Sequence, residues 1–79
     1  MRKYKNLPNV AGKLIERTRI KNNLSRQDLA NKLQLIGINV DTSFVYKIEN
    51  QLRLLKDFEL IAICEILNID MRSLIKTLK

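Results

Sequence analysis

The first residues that suggest a chemical role are a serine, an arginine and an aspartate that lie close together. Ser25 precedes a segment with helical periodicity. Arg26 is the next residue, and Asp28 lies three residues after Ser25. Serine is a preferred N-cap, and an acidic residue at that spacing complements the first turn of a helix. Because the first amides of a helix lack intrahelical partners, Ser25 and Arg26 are predicted to hold an anion such as a phosphate.

A second polar group lies on a helix predicted over residues 42–50. Val45 and Ile48 supply its narrow apolar face, and Asp41 or Thr42 can cap its start. The residues left facing away from the core are Thr42, Ser43, Tyr46, Lys47 and Asn50.

Residues suited to catalysis or metal binding are scarce. The chain has no histidine, its one cysteine, Cys64, lies in an apolar segment without a neighbouring base, and no glycine-rich phosphate loop is present. We therefore predict no catalytic residue, no metal ligand and no cofactor. A single cysteine forms no intramolecular disulfide, so the cytoplasm is the expected compartment.

These polar groups must be positioned by helices, because no stretch alternates apolar with polar residues as a strand does. The sequence predicts a compact all-α domain of five helices. The first spans about 10–22 and buries Ala11, Ile15 and Thr18. The others span 26 to about 35, 42–50, 57–67, and a last segment capped by Asp70 with an apolar stripe of Met71, Leu74, Ile75 and Leu78.

Length and charge limit the possible functions. With 79 residues, the chain has room for one domain, predicted over 10–79 after a basic arm at 1–9. The formal net charge is +7, and residues 1–40 hold nine basic and two acidic side chains, whereas 41–79 hold six of each. This charge favours a polyanionic partner. The longest purely apolar run, 60–64, is too short to span a membrane.

The order of motifs resembles the helix-turn-helix domains of the phage Cro and repressor family. The resemblance is carried by Arg19, the run LSRQDLA at 24–30, the run VYKIEN at 45–50, the segment from Leu60 through Leu67, and Ile69. It covers roughly residues 10–75. The resemblance implies a transcriptional regulator that binds double-stranded DNA with the helix at 42–50 in the major groove. The regulator is expected to be a repressor.

The resemblance also implies roles for individual residues. Base reading falls to Thr42, Ser43, Tyr46 and Lys47, and phosphate binding falls to Ser25, Arg26, Asn50 and Arg53. Family members pair an arginine late in the first helix with the glutamate of the Ile-Glu-Asn run, which implies a structural ion pair between Arg19 and Glu49.

Three features depart from the family pattern. The connection from Leu35 to Asp41 is longer than the usual turn, as in a subgroup of small regulators, and is expected to tilt or shift the third helix. Gln51 stands where a glycine commonly follows Ile-Glu-Asn. Lys56 stands at a usual capping position, so Asp57 is expected to cap the fourth helix.

The fourth helix is apolar nearly all round. Leu60, Ile63, Cys64 and Leu67 are expected to face the core, which leaves Ile61 and Ile66 outside it. Because a chain of this length cannot also bury the stripe on the last helix, we expect a homodimer through these two helices on a near-palindromic site. The alternative is a protein-interaction module, such as an adaptor or an antitoxin-type domain. A third alternative is non-specific binding to RNA or a membrane surface. For RNA, the aromatic residues of the chain are not clustered into a platform on which bases could stack.

Overall fold

The computed structural model describes residues 7–76, and within that range the fold is all-α, as predicted. It has five helices: α1 (Gly12–Lys21), α2 (Arg26–Leu35), α3 (Thr42–Glu49), α4 (Asp57–Leu67) and α5 (Met71–Lys76). Helix α3 packs against α1 and α2, and α4 packs against the same two helices from another side. The predicted order and number of helices are confirmed, and α2 and α4 have their expected bounds.

Side-chain caps determine where the middle helices begin. Ser25 Oγ accepts the N–H of Asp28 at 3.0 Å, and Asp28 Oδ2 accepts the N–H of Ser25 at 2.8 Å, so both halves of a capping box form. Asp41 caps α3 by accepting the N–H of Phe44 at 2.9 Å. The expected cap at Asp57 is wrong: Asp57 is the first residue of α4, and Glu59 Oε1 accepts the N–H of Lys56 at 2.9 Å.

Four residues with positive φ turn the chain between helices. Asn23, Gln51 and Asn68 each have φ of 58°, and Gly37 has φ of 92°. The left-handed residue predicted at Asn23 is confirmed, since asparagine tolerates this region better than most residues. Gln51 adopts the conformation for which glycine is suited, and its Nε2 donates to the carbonyl of Asn9 at 3.2 Å.

The core lies where α1, α2, α3 and α4 meet. Its buried apolar residues are Ala11, Ile15, Leu29, Ala30, Leu33, Phe44, Val45, Ile48, Ala62, Ile63 and Leu67. Thr18, expected in the core, is only half-buried, and its Oγ1 donates to the carbonyl of Leu14 at 2.8 Å. Leu60 packs against the core as expected, although it is partly exposed, and Cys64 is half-buried. Ile66, expected outside the core, also packs against it, whereas Ile61 is exposed as expected.

The N-terminal end of the described chain is attached to the far end of α3. Asn9 is buried, and its Nδ2 donates to the carbonyls of Ile48 at 3.2 Å and Arg53 at 3.0 Å. Its Oδ1 accepts the N–H of Gly12 at 2.8 Å, at the start of α1. Asn9, at the end of the predicted basic arm, therefore packs with the domain, whereas residues 1–6 of that arm lie outside the described residues, as does Leu78 of the predicted stripe.

The long connection between α2 and α3 packs against the core and is hydrogen-bonded to α2. Ile38 and Val40 are half-buried against the core, as predicted. Gln34 Nε2 donates to the carbonyl of Val40 at 2.6 Å, which ties the connection back to α2. The extra residues therefore form an ordered extension of the turn, with α3 still packed against α2.

Candidate nucleic-acid interface

Helix α3 has two chemically different sides. Phe44, Val45, Ile48 and Glu49 are buried on its inner side. On its outer side Ser43, Tyr46 and Lys47 are exposed, and Thr42 and Asn50 are half-buried. The inner side is larger than predicted, since Phe44 and Glu49 join Val45 and Ile48 there. The outer side presents hydroxyl, phenol and ammonium groups at and one turn beyond the N-terminal end of the helix.

The buried Glu49 carboxylate connects three helices. Arg19 in α1 donates from Nε to Glu49 Oε2 at 2.6 Å and from Nη2 to Oε1 at 3.1 Å. Arg19 Nη1 also donates to the carbonyl of Leu24 at 2.8 Å, in the turn before α2. The hydrogen bonds to Glu49 raise the pKa of Arg19 further above its usual value. The pair holds the C-terminal end of α3 against α1.

Arg26 is a second partner of the same carboxylate. Its Nε donates to Glu49 Oε1 at 2.9 Å, and its Nη2 donates to Glu16 Oε2 at 3.3 Å. The guanidinium also lies over the ring of Tyr46, 5.2 Å from the ring centroid. Arg26 thus bonds to two carboxylates of the domain, and its stacking fixes one residue on the outer side of α3; its predicted phosphate-binding role stays a prediction.

Arg53 is drawn inward in a similar way. Its Nη2 lies 3.6 Å from Glu59 Oε2, and its guanidinium lies 4.6 Å from the ring centroid of Phe44. Glu59 is buried although it carries a charge. Arg53 thus has a carboxylate partner within the domain, and its predicted phosphate-binding role stays a prediction.

The N-terminal end of α2 already holds an anionic group. The carboxylate of Asp28 accepts the N–H of Ser25, and hydrogen bonds from Ser25, chiefly from its backbone, keep the pKa of Asp28 below its usual value. Ser25 is exposed, and its Oγ accepts the N–H of Asp28. Any phosphate held by Ser25 would have to approach beside this carboxylate.

A hydrogen-bonded chain across the α2–α3 joint involves a residue that the sequence did not single out. Thr42 Oγ1 donates to Oε1 of Gln27, and Gln27 Nε2 donates to Asn31 Oδ1 at 2.8 Å. Gln27 and Asn31 are both exposed on α2, one turn apart. The position of Gln27 on the outside of the first turn of α2 was the only sequence signal of this role.

At the other end of α3, Asn50 forms the C-cap. Its Nδ2 donates to the carbonyl of Tyr46 at 2.9 Å, which satisfies one of the last carbonyls of the helix. The structure therefore brings Thr42, Ser43, Tyr46, Lys47 and Asn50 onto one side of α3. It leaves Ser25 on α2, and it directs Arg26 and Arg53 toward internal carboxylates.

Other kinds of site find little support in the part of the chain that the structure describes. No group of three or more histidine, cysteine, aspartate or glutamate side chains in residues 7–76 is arranged to hold a metal ion. None of the helices there combines the length and the apolar character needed to cross a membrane.

Comparison with known families agrees with this geometry. A family model described as Helix-turn-helix matches residues 15–74, which include all of α2, α3 and α4. The chain belongs to the Cro and lambda-repressor-like helix-turn-helix family, whose members are DNA-binding regulators. No curated protein and no solved structure shows significant similarity to it.

Proposed function

We propose that this protein is a sequence-specific regulator of transcription, with the N-terminal half of α3 in the major groove of its DNA site. The observation that carries the proposal is the division of α3 into a buried inner side and a polar outer side. Major-groove edges of base pairs present donors, acceptors and methyl groups that such side chains can distinguish. Repression is the expected outcome when a domain of this size occupies a promoter.

The proposal separates residues that read bases from residues that hold the backbone. Thr42, Ser43, Tyr46 and Lys47 read bases, because side chains at the start of a recognition helix reach the groove floor. Ser25 and Asn50 contact phosphates at the two edges of the groove. Arg26 and Arg53 act chiefly as positioning residues, since their guanidinium groups are bound to Glu49 and Glu59.

The proposal includes a homodimer that forms through an apolar surface on α4 and α5. Two neighbouring hollows of about 220 and 210 Å³ share Leu60, Met71 and Leu74, and we call them together the α4–α5 groove. Ile61 and Met71, which line it, are 68% and 67% exposed, and α5 has no buried residue in the described chain. A second copy is the occupant that would bury this surface and also present two α3 helices to a palindromic site.

Sedimentation equilibrium with and without DNA tests the dimer. Ile61→Glu is expected to shift the protein to monomer, because it places a charge in an apolar interface. Leu35→Glu is the matched control: Leu35 is 85% exposed at the end of α2 and does not line the groove. A wild-type chain that stays monomeric at high micromolar concentration and on DNA would rule the dimer out.

A mobility-shift titration over a range of salt tests the proposed function itself, with a DNA site selected from random duplexes and a scrambled duplex as competitor. We expect one enriched sequence and a large preference for it over the scrambled duplex. Equal affinity for both duplexes would favour the alternative, a protein-interaction module. The exposed Leu35 and Ile36, outside the α4–α5 groove, are the observation that favours that second candidate.

A further inference from the structure

The hydroxyl of Thr42 is oriented by a side chain of the preceding helix. Thr42 is the first residue of α3, and its Oγ1 donates its hydrogen to Oε1 of Gln27. The amide of Gln27 is oriented in turn by α2, because its Nε2 donates to Asn31 Oδ1 at 2.8 Å. Nitrogen faces Asn31 and oxygen faces Thr42.

This arrangement determines what Thr42 can offer to a ligand. A hydroxyl group has one hydrogen to donate and two lone pairs that accept. With the hydrogen committed to Gln27, the lone pairs are what Thr42 presents outward. Thr42 is thus an acceptor at the edge of α3 where side chains reach a base pair, if α3 lies in the groove.

Bases differ in whether they can donate to such an acceptor. In the major groove adenine offers its N6 amino group and cytosine its N4 amino group, whereas guanine and thymine offer only acceptors and, for thymine, a methyl group. We propose that Gln27 is a specificity-determining residue that acts through Thr42, so that the base contacted by Thr42 is adenine or cytosine. This inference rests on the proposed function, because it requires α3 to read the major groove.

Selection of DNA sites from random duplexes by the full chain tests the proposal. Thr42→Val first identifies the base position that Thr42 contacts, because that position should lose its preference while the others keep theirs. Affinities for all four bases at that position are then measured. The wild-type protein is expected to favour adenine or cytosine over guanine and thymine by about tenfold or more, the lower range for a good base contact.

Two substitutions at Gln27 separate its orienting role from a merely structural one. Gln27→Ala frees the Thr42 hydroxyl to rotate and donate. The logarithm of the affinity ratio between bases at this one position should therefore fall by about half or more, and the ratios at other positions should stay unchanged. Gln27→Glu retains an acceptor oxygen and should keep the preference, although its negative charge lowers affinity for every duplex. Adding Gln27→Ala to Thr42→Val should cause no loss of preference at this position beyond that of Thr42→Val alone.

The possible failures are distinguishable. A wild-type preference for guanine or thymine at the Thr42 position, or an unchanged preference in Gln27→Ala, overturns this inference and leaves the proposed function intact. A selection that enriches no sequence at all overturns the proposed function. Circular dichroism of each variant checks folding, which is expected to be retained because Gln27 is exposed.

Discussion

Arg19 in α1 and Glu49 in α3 form a two-point ion pair in the interior, with Nε to Oε2 at 2.6 Å and Nη2 to Oε1 at 3.1 Å. Both side chains are nearly inaccessible, at 9% and 0% exposure. Burying the pair yields little net stability, because desolvation offsets most of the attraction. Removing one partner is a different matter, because Glu49 without Arg19 keeps only the hydrogen bond from Arg26, and Arg19 without Glu49 keeps only the carbonyl of Leu24.

Arg19→Ala and Glu49→Ala are therefore each expected to lower the free energy of unfolding by roughly 3 to 5 kcal/mol. Lys13→Ala and Lys32→Ala are the controls, because both lysines are exposed and a surface ion pair such as Lys13 with Glu16 contributes about 0 to 1 kcal/mol. Urea denaturation measures all four. Equally small effects at the four sites would contradict the structural role of the pair.

Arg26→Ala tests whether this arginine is a positioning residue. Glu49 would lose one of the three hydrogen bonds that its carboxylate accepts, so the free energy of unfolding should fall by about 1 to 3 kcal/mol. The salt dependence of DNA binding should change by much less than the ~0.9 in log K per log salt that one phosphate contact contributes. Loss of a full phosphate contact without loss of stability would show instead that Arg26 binds the DNA backbone.

Gly12 and Gly37 are needed for different reasons, and replacement by alanine separates them. A Cβ at Gly12 would lie 2.4 Å from the carbonyl oxygen of Ile48, so α1 could not keep its approach to α3. Gly12→Ala should cost about 1 to 3 kcal/mol through overpacking, with shifted NMR signals at the end of α3.

Gly37 has a φ of 92° and nothing within 4 Å of an added Cβ. Gly37→Ala should cost about 1 to 2 kcal/mol through backbone strain alone, with shifts confined to the α2–α3 connection. For Gly12, an alanine variant with an unchanged free energy of unfolding would show that α1 and α3 are not in close contact at Gly12.

The pH dependence of stability should include a contribution from Asp28, whose pKa is lowered in the folded protein by hydrogen bonds from Ser25. A lowered folded pKa means that the carboxylate stabilises the fold above its unfolded pKa of about 3.9, and that this contribution disappears as the pH falls through the folded pKa. Asp28→Asn should therefore lower Tm at pH 7, and the difference from wild type should shrink toward pH 3. Glu65→Gln is the control, because Glu65 is exposed on α4 and the substitution also removes one negative charge. A constant difference across that range would contradict the assignment.

The helices and the caps at Ser25 and Asp41 were predictable because their signals are local. Ser25, Asp28 and Asp41 lie within one turn of the amides that they cap, and the spacing of Leu29 and Leu33 is set by the helix itself. The fate of Arg26 and the burial of Glu59 were not predictable in this way. Arg26 meets Glu49, 23 residues away, and only the packing of α2 on α3 brings the two together. The residue types alone indicated a free cation.

The same limit applies to the candidate interface. The outer residues of α3 followed from helical periodicity, because Val45 and Ile48 had to face the core. The partner of Thr42 could not be inferred, since Gln27 reaches it across the long α2–α3 connection. An exposed glutamine on a helix has no pattern that distinguishes it from a solvated residue.

Base reading by α3 is tested most directly by the affinity ratio between the selected DNA site and a scrambled duplex. Thr42→Val and Ser43→Ala should each weaken binding to the selected site by about 1 to 3 kcal/mol and leave binding to the scrambled duplex almost unchanged. Ser73→Ala on α5, the same substitution as at Ser43 but outside α3, should alter neither. An unchanged ratio in both α3 variants would contradict the proposed function, because α3 would then not be the helix that reads the bases.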